Sequence, residues 1–114
     1  MPKPNKGLMS GSTALLVLHL LSSKDMYGYE IVRELEVRSN NVFSLKEGTL
    51  YPVLHGLEKD GYAASYSQQA ETGRKRKYYQ ITRKGIAALA EKKAEWETFS
   101  GGVNHVLGEC SYAL

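Results

Sequence analysis

One cysteine, one tryptophan and three prolines in 114 residues rule out several kinds of protein at once. Cys110 has no partner for an internal disulfide, so a disulfide-stapled secreted scaffold is excluded, and a lone thiol suits a reducing compartment. A cytoplasmic location is the expectation. Long apolar runs are also lacking. The longest, Ala14 to Leu21, is interrupted by His19 and falls far short of the roughly 20 residues that cross a bilayer. It leads into Ser22, Ser23, Lys24 and Asp25 rather than a small-residue cleavage site, so neither a membrane span nor a signal peptide is expected. Residues 1–10, with Lys3 and Lys6, read as a flexible basic arm. No CxxC, HxxxH, phosphate-cradling glycine loop or Ser-His-Asp pattern occurs, and His19, His55, His105 and Cys110 are scattered along the chain. The expectation is a protein that is not an enzyme and needs no metal or cofactor.

At this length, with 42% hydrophobic and 24% charged residues, the chain supports one small globular unit. Its net charge of +3 says little, but the placement of that charge says more. Six basic residues (Arg74, Lys75, Arg76, Lys77, Arg83, Lys84) fall between positions 74 and 84 with no acidic one among them. The other nine are outnumbered by twelve acids, which leaves the rest of the chain at −3. Local basicity of this kind suits a surface that meets a polyanion; the plainer reading is a solvated strand.

Hydrophobic spacing divides the chain. Residues 12–21 are apolar almost all round, more than a small monomer can bury, so this helix is expected to pack on a second subunit as well as on its own core. Asp25 is expected to cap a second helix running to about Ser39, with Tyr27, Ile31 and Leu35 along one face and Asn40 and Asn41 as its stop. Ser44 and Glu47 have capping-box spacing ahead of a third helix that ends at Lys59, Asp60 and Gly61. Its inward face is Leu50, Val53, Leu54 and Leu57. Its outward side is Lys46, Thr49, Tyr51, Pro52, His55, Gly56 and Lys59, and Pro52 is expected to kink it or loosen its first turns. The period then changes to two, which predicts a β-hairpin with strands near 62–69 and 74–81 and a turn at 70–73. Tyr79 and Ile81 point inward, beneath an outer face carrying Arg76, Tyr78 and Gln80. From the N-cap Thr82, Ile86, Leu89, Lys93, Trp96, Ser100, Val103 and Leu107 form a heptad seam on one long helix that continues through Gly101 and Gly102.

The expected fold is therefore mainly α with a β-hairpin (α+β): a winged helix-turn-helix at 11–82, a C-terminal dimerisation helix at 83–108 and a tail at 109–114. The runs Tyr27-Gly28-Tyr29-Glu30-Ile31, Glu47-Gly48-Thr49-Leu50-Tyr51-Pro52-Val53-Leu54 with Leu57-Glu58-Lys59-Asp60-Gly61, and Gly73-Arg74-Lys75-Arg76-Lys77-Tyr78-Tyr79-Gln80-Ile81-Thr82 closely resemble the PadR family of bacterial transcriptional regulators. The match covers residues 15–107 and is to the compact subfamily with a single terminal helix. The resemblance implies a homodimeric winged-helix DNA binder, usually a repressor, released from its operator by a small molecule.

The chemistry of the side chains gives a parallel reading. The N-terminal residues of a helix in the major groove reach base edges, so Ser44, Lys46, Thr49, Tyr51 and Pro52 are candidates for base readout or phosphate contact. Tyr51 and Tyr27 fit either a phosphate contact or core packing. Arg74, Lys75, Arg76 and Lys77 can neutralise phosphates; strand alternation favours Arg74 and Arg76 as the pair that faces DNA. Trp96 on the seam, with Phe99, Lys93 and His19, is a candidate site for a planar aromatic effector, the alternative being an ordinary interface anchor. The rival to a DNA-binding regulator is a dimeric adaptor whose basic hairpin grips an acidic protein.

Overall fold

Two asparagines with positive φ, Asn40 at 52° and Asn41 at 68°, end the second helix where the sequence expects it to end, because asparagine tolerates the left-handed region better than most residues. In the computed structural model, which describes residues 12–108, the elements are α1 (Thr13–Ser23), β1 (Met26–Tyr27), α2 (Gly28–Arg38), α3 (Glu47–Lys59), β2 (Ala63–Gln69), β3 (Lys75–Ile81) and α4 (Arg83–Leu107). The arm expected at 1–10, the tail expected at 109–114 and Cys110 lie outside the described residues. The expected helices and hairpin are all present, and a third strand joins them. The antiparallel sheet has the order β1-β3-β2, with Met26 opposite Tyr79 and Tyr27 opposite Tyr78.

The core is drawn from every layer. Val17, Leu18 and Leu21 of α1, Ile31 and Leu35 of α2, Leu50, Leu54 and Leu57 of α3, Met26, Ala63 and Tyr79 of the sheet and Leu89 of α4 are buried together. Val53 is half-buried against them, so the inward face of α3 is the one its spacing predicts. α3 runs unbroken through Pro52. In its first turn the Lys46 carbonyl accepts from both Thr49 and Leu50. It ends in a full Schellman turn: the Gly61 N–H donates to the Glu58 carbonyl at 3.1 Å and the Tyr62 N–H to the Leu57 carbonyl at 2.9 Å, with Gly61 at φ 81°.

Two caps differ from expectation. Asp25 does not cap α2: its carboxylate accepts from the Tyr66 hydroxyl at 2.7 Å. The chain between Asp25 and α2 is drawn into β1, so the helix starts at Gly28, and the Glu30 carboxylate accepts from the Tyr27 N–H at 3.2 Å instead. Tyr27 consequently stands just ahead of α2 rather than on its inward face. Ser44 does not cap α3 either. Its hydroxyl donates to the Glu36 carboxylate at 3.1 Å, and Lys46 is the N-cap residue, without a side-chain bond. In both places a partner distant in sequence wins over the local backbone.

Thr82 caps α4 as expected, accepting from the Gly85 N–H at 3.0 Å while its own hydroxyl donates to the Gly61 carbonyl at 2.6 Å. Its N–H also reaches the Tyr62 carbonyl at 3.0 Å. The start of α4 is therefore fastened to the end of α3. Gly85 is buried at this junction, where a Cβ would collide with the Tyr62 carbonyl oxygen and press on Ile81. α4 continues through Gly101 and Gly102 and stops at Gly108, whose φ is 81°. No helix among the described residues is long and apolar enough to cross a membrane.

Gly85→Ala forces backbone apart at this junction, so the denaturant midpoint should drop by the equivalent of about 1–3 kcal/mol or more. Tyr79→Phe keeps the buried ring and removes a hydroxyl that has no hydrogen-bond partner among the described residues. It should hold or raise the midpoint, by roughly 1 kcal/mol. A wild-type melt for Gly85→Ala, or a sharp fall for Tyr79→Phe, would contradict this account of the core.

Candidate nucleic-acid interface

The outer face of the sheet is aromatic because strand register stacks its tyrosines. Tyr66 of β2 lies opposite Tyr78 of β3, and their rings are stacked 5.7 Å apart. Tyr27 of β1 lies on the other side of Tyr78, edge to face at 5.4 Å, and Tyr29 follows at 6.5 Å. Arg76 is two residues from Tyr78 on the same strand face, and its guanidinium carbon lies 4.4 Å from the centre of the Tyr27 ring. Lys77, on the opposite face with Tyr79, lies over that ring at 5.3 Å and 3.8 Å from the Glu58 carboxylate. Both members of that ion pair are substantially exposed, so it contributes little to stability.

The first turns of α2 and α3 and the far end of β3 enclose an open cleft of about 590 Å³. Tyr27, Gly28 and Tyr29 form one wall, Glu47 and Tyr51 a second, and Arg74, Lys75, Arg76 and Lys77 the third. Four cations thus meet one carboxylate and three phenols. Tyr51 reaches in from α3 so closely over α2 that a Cβ at position 28 would come within 2.9 Å of its hydroxyl. Glycine at position 28 is what permits this approach. Burial, and then the Glu47 carboxylate, hold the Tyr51 phenol above its ordinary value.

Comparisons with known proteins identify the family to which this fold belongs. The model of the "Transcriptional regulator PadR-like family" matches residues 17–91. The chain belongs to the PadR-like family of transcriptional regulators. An uncharacterised protein of Lysinibacillus sphaericus is 44% identical over 89 residues, 78% of this chain and 82% of that protein. A transcriptional regulator of Mycobacterium tuberculosis is 36% identical over 98 residues, 82% of this chain and 88% of that one. Among solved structures, a transcriptional regulator from Clostridium thermocellum matches with a TM-score of 0.81 at 35% identity, covering 90% of this chain and 96% of that one. A PadR-like regulator from Bacillus cereus matches at 0.78 and 31%, covering 90% and 97%.

In this PadR-like chain the sequence-derived candidates fall into three groups. Tyr27, Tyr51 and the four residues 74–77 converge on the cleft. Lys46, Thr49 and Pro52 are exposed on the outward side of α3 beside it, while Ser44 is exposed with its hydroxyl committed to Glu36. The third group is remote: Trp96 and Phe99 are 6.2 Å apart on α4, with Lys93 exposed on the same helix. His19 is exposed on α1, and no ring contact among the described residues joins it to Trp96. Gly28, Tyr29 and Glu47, which line the cleft, and Tyr78, beside Tyr27, are not among the sequence-derived candidates. The signal for the first two is a glycine flanked by tyrosines at a helix start, where a better helix former would be expected unless another chain segment needs the room.

Hydrogen bonding to Asp25, more than any other cause, raises the Tyr66 phenol above its ordinary value of 10.0. A raised phenol value favours the neutral folded form, so this contribution is complete below about pH 10 and is lost as pH rises through the higher folded value. Chemical-melt stability followed from pH 9 to pH 12 should therefore decline less steeply in Tyr66→Phe than in the wild type. Parallel declines would remove the Asp25 bond from the account.

Proposed function

We propose that this regulator is a homodimeric, sequence-specific DNA-binding protein that acts as a repressor in the cytoplasm. The observation that carries the reading is the convergence of Arg74, Lys75, Arg76 and Lys77 with Tyr51 of α3 and Tyr27 of β1 on one open cleft. In this reading α3 enters the major groove with Lys46, Thr49, Tyr51 and Pro52 toward base edges and phosphates, and β3 with its turn neutralises backbone phosphates. The DNA-binding unit spans the winged helix to residue 82, and α4 joins two copies. Support for the second point is the stripe on α4: Phe99, Val106 and Leu107 are 63%, 87% and 67% exposed, and Trp96 and Val103 lie between α4's buried Leu89 and that end. Apolar exposure of this density on one helix needs a partner surface. Trp96, flanked by Phe99 and Lys93, is the proposed contact for a planar aromatic or phenolic effector that releases the operator.

Anisotropy titrations with the duplex upstream of the chain's own gene and with a scrambled duplex, at near-physiological salt and with the oligomeric state measured alongside, test this reading. The expected result is a dimer that prefers the native duplex and loses affinity steeply as salt rises. Weak, equal binding to both duplexes would favour the adaptor alternative, in which the basic hairpin holds an acidic protein.

Charge reversal to glutamate in the wing should weaken binding more at Arg74 and Arg76 than at Lys75 and Lys77; the opposite order would reverse the facing of β3 toward DNA.

Planar aromatic compounds should quench or shift the emission of the single tryptophan. Silence across a broad panel would leave Trp96 as an interface residue alone.

A further inference from the structure

We infer that Tyr27 is a positioning residue: its ring, rather than its hydroxyl, aims the Arg76 guanidinium at the nucleic acid. The inference rests on the DNA-binding reading above and concerns how one cation of the cleft is held. The four wing cations are not equivalent. Arg74, Lys75 and Lys77 are exposed and Arg76 is half-buried. Lys77 is beside Glu58, whereas no ion pair among the described residues engages Arg76; its fixed contact is the Tyr27 ring, 4.4 Å from the guanidinium carbon. A guanidinium resting on an aromatic face keeps its N–H donors free at its edge, so the ring orients the group without consuming the hydrogen bonds a phosphate needs. A carboxylate in the same place would compete with the phosphate.

The ring can serve as a platform because it is itself confined on several sides. Tyr78 meets it edge on and Tyr29 stacks beyond it, while Tyr66 backs Tyr78 and is tied to Asp25. Its backbone is fixed twice, by pairing with Tyr78 in the sheet and by the bond from its N–H to Glu30. Register makes the contact geometrically natural: Tyr27 faces Tyr78, and Arg76 is the next residue on that strand face, hence the diagonal neighbour of Tyr27. An arginine otherwise free to sample many rotamers is thereby ordered before it meets DNA, and that reduces the ordering cost at binding.

The test is a double-mutant cycle on the duplex upstream of the chain's own gene, using full-length protein with the fold and dimer checked by circular dichroism and sedimentation. Tyr27→Phe, which keeps the ring, should lose clearly less affinity than a variant that removes it. Tyr27→Leu should weaken binding roughly three- to fivefold, and that loss should vanish when Arg76 is already alanine. If Tyr27→Leu does not fold, Tyr27→Met replaces it with the same expectations. Equal losses for Tyr27→Phe and Tyr27→Leu would assign the effect to a hydroxyl contact and overturn the inference. So would a Tyr27→Leu loss that persists in the Arg76→Ala background, or no loss at all while Arg76→Ala alone weakens binding. A wild type that binds neither this duplex nor a scrambled one would instead bring down the DNA-binding reading, and this inference with it.

Discussion

Two residue pairs, Met26 with Tyr79 and Tyr27 with Tyr78, are the whole strand connection among the described residues between the helical part of the chain and its hairpin, and so short a ladder could not hold a hairpin by backbone bonds alone. It holds because alternation sends its side chains to opposite faces, each of which is secured differently. Met26 and Tyr79 go inward and are fully buried with the leucines of α1 and α3. Tyr27 and Tyr78 go outward into the row of rings that also includes Tyr29 and Tyr66. The cleft depends on this tie, since one wall of it belongs to the hairpin and two belong to the helices.

The hairpin is fixed at its root and open at its tip. At the root, Thr82 bonds Gly61 and Tyr62, and the buried Gly85 lets α4 start against the Tyr62 carbonyl. At the tip, Glu71, Thr72, Gly73, Arg74 and Lys75 are exposed. Like charges crowded on a strand are tolerable where water and salt screen them. Moved one turn closer to the core, the same run would carry an unpaired desolvation cost. The fold thus leaves its cations where a polyanion can reach them while their backbone stays ordered by β2.

The elements visible in the sequence are those decided by local chemistry. The leucine spacing of α3, the glycine stop at Gly61, the alternation of β3 and the cap at Thr82 each need only neighbours within a few residues, and each is found where it was expected. The misreadings have one cause. Asp25 and Ser44 are good capping residues by type, but Tyr66, 41 residues away, takes the first, and Glu36, eight away, takes the second. A two-residue strand has no periodicity to detect, so β1 was invisible, and with it the aromatic row that it completes. The basic run was legible as charge. That its residues meet Tyr27 and Tyr51 in one cleft was not, because that requires knowing which strand lies beside β3.

The junction at Thr82 also bears on how a signal could cross the molecule. α3 ends in a Schellman turn at Gly61, and the carbonyl of that same glycine accepts from the hydroxyl that caps α4. α3 and the proposed dimer helix therefore share a hydrogen-bonded corner, closed up by a glycine that has no room for a side chain. In the proposed dimer a change in how two α4 helices cross would pass through this hydrogen-bonded corner to each α3. Operator half-sites must stay about one helical turn, roughly 34 Å, apart. Under the proposed function, a modest rotation at Trp96, acting along a helix of 25 residues, would move the two reading heads out of step with the groove.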